Sequence, residues 1–218
     1  MRFELFDSDG DLAIRQGNLP HWFQPDVTYF VTFRTEDSLP AAVVATWHRR
    51  RKDWLRRHGI DPEAKNWKQL VARLPRDAQW QFEREHFGAE YMNYLDRGHG
   101  ACVLRHPEMA RIVADSLHHF DGDRYHLGDF VVMPNHVHVV CCLLGSTEIE
   151  SQCYSWKKFT AQKINRSLKR TGRFWQEESF DHLVRSTKAF DYYRWYVAQN
   201  PIEARLGVGE FLHYRRPD

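Results

Sequence analysis

The stretch Asp129-Phe-Val-Val-Met-Pro-Asn-His-Val-His-Val-Val-Cys-Cys-Leu-Leu144 decides how this chain folds. Two apolar runs, Phe130–Met133 and Val137–Leu144, meet at Pro134-Asn135. Both runs are rich in β-branched residues, and the pair reads as two strands joined by a tight turn. Side chains alternate faces along a strand. His136 and His138 therefore share one face, and Val137 points the other way. Two imidazoles on one rigid support are two thirds of a divalent-metal site. The same pattern also suits two polar groups at a sheet edge, so spacing alone leaves both readings open.

On the N-terminal side, Asp26 to Arg34 is β-branched and aromatic and predicts a first strand. Residues 1–20 are polar and aperiodic, and Leu19 to Phe23 reads as a lead-in loop. Pro40 suits the first turn of a helix over Ala41 to His58, stopped by Gly59. Residues 61–97 carry aromatics among many charges and read as a helical insertion broken near Pro75. His106-Pro107 opens a helix with Met109, Ile112, Val113 and Leu117 on its buried face.

On the C-terminal side, Ser146 or Thr147 suits the cap of a helix from about Glu148 to Lys169. Its stripe is Cys153, Trp156, Thr160, Ile164 and Leu168. Phe180 to Arg185 reads as a short extended segment. A final helix, Lys188 to Gln199, ends at Asn200-Pro201. Its aromatics (Tyr192, Tyr193, Trp195, Tyr196) read as packing residues rather than a base-stacking platform. This order predicts an α+β fold, with an antiparallel sheet and helices packed on one face.

Composition sets the class. The chain has 218 residues, 42% hydrophobic and 14% aromatic, enough for one domain spanning 1–218 with a good core. No apolar run reaches the roughly 18–20 residues a membrane span needs. The acidic N-terminus lacks an apolar signal core, so the expectation is a soluble, cytoplasmic protein with no membrane partner. The four cysteines, Cys102, Cys141, Cys142 and Cys153, lack zinc spacing and read as free thiols. The net charge of +2 hides 31 basic against 29 acidic residues. The basic ones cluster, notably at Arg49-Arg50-Arg51 and at Lys157, Lys158 and Lys163. In a nucleic-acid-binding protein these six are candidate phosphate contacts.

Several stretches together carry a resemblance. Val27-Thr-Tyr-Phe-Val-Thr-Phe33, Val131-Val-Met-Pro-Asn-His-Val-His138 and Ser155-Trp-Lys-Lys-Phe-Thr-Ala-Gln-Lys-Ile-Asn165 come first. Gly172-Arg-Phe-Trp-Gln176, Phe180-Asp-His-Leu-Val-Arg185 and Asn200-Pro-Ile-Glu-Ala204 follow in order. They resemble the single-tyrosine, His-hydrophobe-His (HUH) transposases, in particular the REP-associated tyrosine transposase branch. The resemblance implies a ferredoxin-like core and His136 and His138 as ligands of Mg²⁺ or Mn²⁺. It implies cleavage and joining of single-stranded DNA beside a hairpin through a 5′-phosphotyrosine. It leaves open a monomer or a homodimer.

Relatives of this kind commonly supply the tyrosine from the helix after the HUH strand, with a polar third ligand one turn later. Here that helix is 148–169. Its one tyrosine is Tyr154, the candidate nucleophile. One turn later stands Lys158, a cation that cannot ligate. Gln162, the candidate third ligand, lies eight residues from Tyr154, about 12 Å along the axis. Either Tyr154 acts with an unusual third ligand, or the tyrosine function is lost or relocated. Loss would leave a domesticated DNA-hairpin-binding protein without cleavage. A hydrolase of small phosphates using the two histidines is a third class.

Overall fold

The computed structural model describes residues 3–7, 13–16, 20–64, 66–87, 94, 97–177 and 179–217. Its centre is a five-stranded sheet. The strands are β3 (Thr28–Arg34), β4 (Tyr125–Val132), β5 (His136–Leu143), β6 (Phe180–Leu183) and β7 (Leu212–Tyr214). Their spatial order is β6-β3-β5-β4-β7, with every pairing antiparallel. Helices α4 (Pro107–His118) and α5 (Ile149–Ser167) connect β3 to β4 and β5 to β6. Without β7 this is the βαββαβ path and strand order of a ferredoxin-like fold. The antiparallel α+β fold expected from the sequence is the fold observed, with helices on both faces of the sheet instead of one.

The two faces have different covers. Tyr29, Val31, Phe33, Val137, Val139 and Cys141 point to one side, where α4 and α5 close the main core. The polar tips buried there are satisfied: Trp156 Nε1 donates to Tyr125 Oη at 3.0 Å, and Tyr125 Oη donates to the Leu117 carbonyl at 2.7 Å. Phe30, Val131, Met133 and Val140 point to the other side. There they meet Val197, Tyr193 and Tyr196 of the C-terminal helix α6 (Thr187–Glu203). The sheet thus carries helices on both faces, the ferredoxin pair on one and α6 on the other.

A β-bulge in β4 makes this possible. The register with β5 shifts between Leu127 and Phe130. The extra residue keeps both Leu127 and Phe130 on the α4/α5 side. Gly128 sits at the bulge, where a Cβ would come within 2.8 Å of the Val140 carbonyl oxygen. Asp129, the other bulge residue, is buried and accepts from Arg194 Nε at 3.0 Å and from the Arg216 backbone N–H at 3.0 Å. It clamps α6 and the C-terminal segment to the sheet. Asp129→Ala leaves the Arg194 guanidinium without its buried counter-charge, and the expected loss in urea-denaturation stability is about 3 kcal/mol.

Other differences from the sequence reading have local causes. Ala13–Gln16 (β1) and Pro20–Phe23 (β2) pair as a small antiparallel ribbon instead of an aperiodic lead-in. Strands of four residues are too short to display a period. Helix α1 (Ala41–Arg57) contributes no described residue to the two cores on the sheet. Its Trp54 and Leu55 form a separate core with Ile60, Trp67, Val71 and Phe82, from α2 (Trp67–Ala72) and α3 (Arg76–Phe87) among others. The inserted helical unit therefore includes α1; its stretches 88–93 and 95–96 lie outside the described residues. Helix α5 begins at Glu148 with no side-chain cap, so neither Ser146 nor Thr147 serves as one. Helix α6 is capped by Ser186, whose hydroxyl accepts from Ala189 N–H at 3.1 Å. It runs through Pro201 to Glu203. A proline in the last turn forfeits one helical hydrogen bond, and Ala204 N–H to Asn200 O and Leu206 N–H to Pro201 O close the end.

Candidate metal and tyrosine site

His136 and His138 lie on the α6 side of β5, opposite Arg34 and Thr32 of β3. Their rings are 4.6 Å apart, centre to centre, and both side chains are fully buried. Each Nδ1 is anchored. His138 Nδ1 is 2.7 Å from Thr32 Oγ1, and His136 Nδ1 is 2.7 Å from Asn135 Oδ1. Asn135 is itself fixed, donating from Nδ2 to the His99 carbonyl at 2.8 Å. The Asn135 oxygen accepts, so His136 carries its proton on Nδ1 and its lone pair on Nε2.

Helix α6 supplies the neighbours. Asn200, fully buried, places Nδ2 3.5 Å from His138 Nε2. Tyr196, one turn earlier, sets its ring 5.2 Å from that of His138, edge to face. Phe30 stacks on His138 from the sheet side at 5.4 Å. Two imidazoles, a carboxamide and a tyrosine ring thus lie side by side under α6.

Burial sets the protonation. It pushes His136 down to about 3, opposed by the Asn200 side chain and assisted by the Arg34 charge. Burial also pushes His138 well down, with its neighbour His136 adding to the effect. Both rings are neutral at physiological pH, the form that ligates metal. The unfolded chain binds these protons near pH 6.5, before the folded one does. Stability is thus fully present above pH 6.5 and is lost as the pH falls toward the folded values. For His136 alone the loss by pH 4 is about 3 kcal/mol. Urea midpoints measured at pH 7 and pH 4 are expected to differ by less in His136→Gln than in the parent.

The donor set fits a divalent cation in chemistry. Two neutral imidazoles and an amide oxygen suit first-row divalent ions. Thr32 and Asn135 are the outer partners that orient ligating histidines. Asn200 would turn its Oδ1 toward the ion, a rotation of the amide by half a turn. Among the described residues no third His, Cys, Asp or Glu joins the pair.

The other candidates from the sequence lie elsewhere. Tyr154 and Gln162 are on α5, whose buried stripe packs on the opposite face. The sheet itself stands between them and the histidines. Tyr154 is 63% exposed, with Lys158 over its ring at 5.6 Å, and Gln162 is exposed. The sequence reading took the first helix after the HUH strand, but in this topology that helix crosses beneath the sheet. Helix α6 is the one that covers the site. Tyr196 and Asn200 stand four residues apart, so their position on one face of a helix was legible in the chain.

The basic candidates divide. Lys157 donates to the Gln176 and Glu177 carbonyls at 3.3 and 2.6 Å and ties down that loop. Lys158 and Lys163 are exposed, the latter over the Phe159 ring at 5.6 Å. Arg49 and Arg50 are exposed on α1, whereas Arg51 lies over Trp67 at 5.1 Å. These three belong to the separate helical unit.

No protein-family model matches the chain, and no curated protein matches it. Among solved structures, the chain is similar to a REP-associated tyrosine transposase bound to a REP hairpin, at 14% sequence identity and a TM-score of 0.45, with 86% of this chain and 74% of that one covered.

Proposed function

We propose that this protein is a metal-dependent single-strand DNA endonuclease and strand transferase that acts beside a DNA hairpin, with Tyr196 as nucleophile and His136, His138 and Asn200 as metal ligands. The observation that carries the proposal is the meeting, on one face of the sheet, of two imidazoles anchored at Nδ1 with a tyrosine and an asparagine one helical turn apart. The motif resemblance of the chain implies the same kinds of part, a histidine pair with a tyrosine and a polar ligand one turn apart, although it points to 148–169 for the last two.

The bound cation would neutralise charge on the scissile phosphate. The chain's own residues do the rest. Asn135 holds His136 in one tautomer, and Thr32 orients the His138 ring. Phe30 and Tyr196 exclude water from His138. The Tyr196 phenol oxygen bonds to phosphorus as the bond from phosphorus to the 3′ oxygen breaks. The phenol loses a proton and the departing 3′ hydroxyl gains one. The product is a 5′-phosphotyrosine, which conserves the bond for rejoining.

A second reading, hairpin binding without cleavage, is favoured by the complete burial of both imidazoles. A phosphate reaches them only if α6 shifts. The two readings separate in one assay: a labelled hairpin with a single-stranded flank, incubated with Mn²⁺ or with EDTA. Cleavage predicts a covalent adduct that survives denaturing electrophoresis and disappears in EDTA. Hairpin binding that survives EDTA, with no adduct in Mn²⁺, establishes the second reading.

A further inference from the structure

Helix α6 divides its aromatics between two surroundings. Tyr193 and Tyr196 pack toward the sheet, and Tyr193 stacks on Phe30 at 4.3 Å. Tyr192 and Trp195 point outward, 53% and 51% exposed. Exposing two of the largest apolar side chains forfeits burial that a helix of this kind normally secures. They are not scattered. The Tyr192 and Trp195 rings are 6.0 Å apart, and Tyr192 is 6.2 Å from Tyr196 and nearly parallel to it, at 23°. Tyr196 is in turn 5.2 Å from His138. A continuous run of rings leads from solvent to the buried histidines. Lys188 is exposed four residues before Tyr192, hence on the same helix face.

We infer that Tyr192 and Trp195 are a stacking platform for unpaired nucleobases, which leads a single-stranded segment to Tyr196. This rests on the proposed function and names how that site holds its strand. Flat, exposed rings bind any base through its π-face, and a nearby ammonium meets the backbone phosphate. The platform explains the exposure of these rings and their continuity with the nucleophile. It needs no base-specific hydrogen bonds, so it holds the strand without reading its sequence.

The competing occupant is a second copy of the chain. Tyr192, Trp195, Gln199 and Ile202 repeat at spacings of three and four, as in a coiled-coil seam. A coiled coil, however, sustains its apolar pattern over about three to four heptads. This stripe spans two, with Gln199 inside it and Lys188 at its head.

The test uses the full-length protein in EDTA, so that no chemistry occurs. The probes are a DNA hairpin with a short single-stranded dT tail and the same hairpin with an abasic tail. Trp195→Ala and Tyr192→Ala are each expected to weaken binding of the dT-tailed probe on the order of 10-fold. Binding of the abasic probe should change little, and Trp195→Phe should restore most of the loss. Equal losses on both probes, or no loss on either, overturn the platform. So does a parent protein that sediments as a dimer while Trp195→Ala sediments as a monomer. Adduct formation with Mn²⁺ on the same preparations reports on Tyr196 separately. Its failure with stacking intact removes the nucleophile and leaves the platform standing.

Discussion

Tyr196→Phe is expected to abolish covalent adduct formation, by on the order of 10⁴-fold or more, since it removes the attacking oxygen. The substitution removes one oxygen and keeps the ring that packs against His138 and Phe30. Folding and hairpin affinity should therefore stay near those of the parent. The matched control is Tyr154→Phe. That residue is exposed on the far side of the sheet, and its loss should leave adduct yield unchanged. The reverse pattern, adducts lost in Tyr154→Phe and kept in Tyr196→Phe, would sink the placement of the active centre under α6. Denaturing gels of the metal-loaded reaction, scored for both variants side by side, decide it.

The second large effect is on metal affinity. His138→Ala removes one of two imidazoles, and Mn²⁺ binding measured by calorimetry should fall on the order of 100-fold or more, with adduct yield falling in parallel. Asn200→Ala should also weaken Mn²⁺ binding, whereas Asn200→Asp, which supplies a carboxylate oxygen, should retain it. Thr32→Val keeps both ligands and removes only the hydroxyl that orients His138. It should cost about 10-fold in affinity, the usual effect of losing an outer partner. If Gln162→Ala weakens binding as much as Asn200→Ala does, the third ligand comes from α5 after all.

Both predictions depend on one topological fact, and it separates what was legible in the sequence from what was not. The strands β3, β4 and β5 were legible because each is a run of β-branched and aromatic residues, and the alternation around Val137 put His136 and His138 on one face. Helices α4 and α5 were legible from apolar residues at three- and four-residue spacing. The resemblance of the motifs added the ferredoxin-like order, with β6 beside β3. Nothing local in the chain says which side of the sheet a helix will cover. Helix α5 follows the histidine strand directly, yet its crossover lands on the face opposite the imidazoles. Helix α6, some fifty residues downstream, covers the histidine face.

The central strands, the long helices and the shared face of the two histidines were thus legible in the chain, because these follow from periodicities of two and 3.6 residues, whereas the short strands β1, β2 and β7 were not. Only the folded chain sets which tyrosine and which amide lie beside the two histidines. It does so through the bulge at Gly128 and Asp129, which keeps Leu127 and Phe130 on one face, and through the Asp129–Arg194 ion pair that seats α6 on the other. The spacing of Tyr196 and Asn200 was visible in the chain throughout. Their nearness to His136 and His138 is a product of chain crossings between residues about sixty positions apart, and no local pattern encodes it.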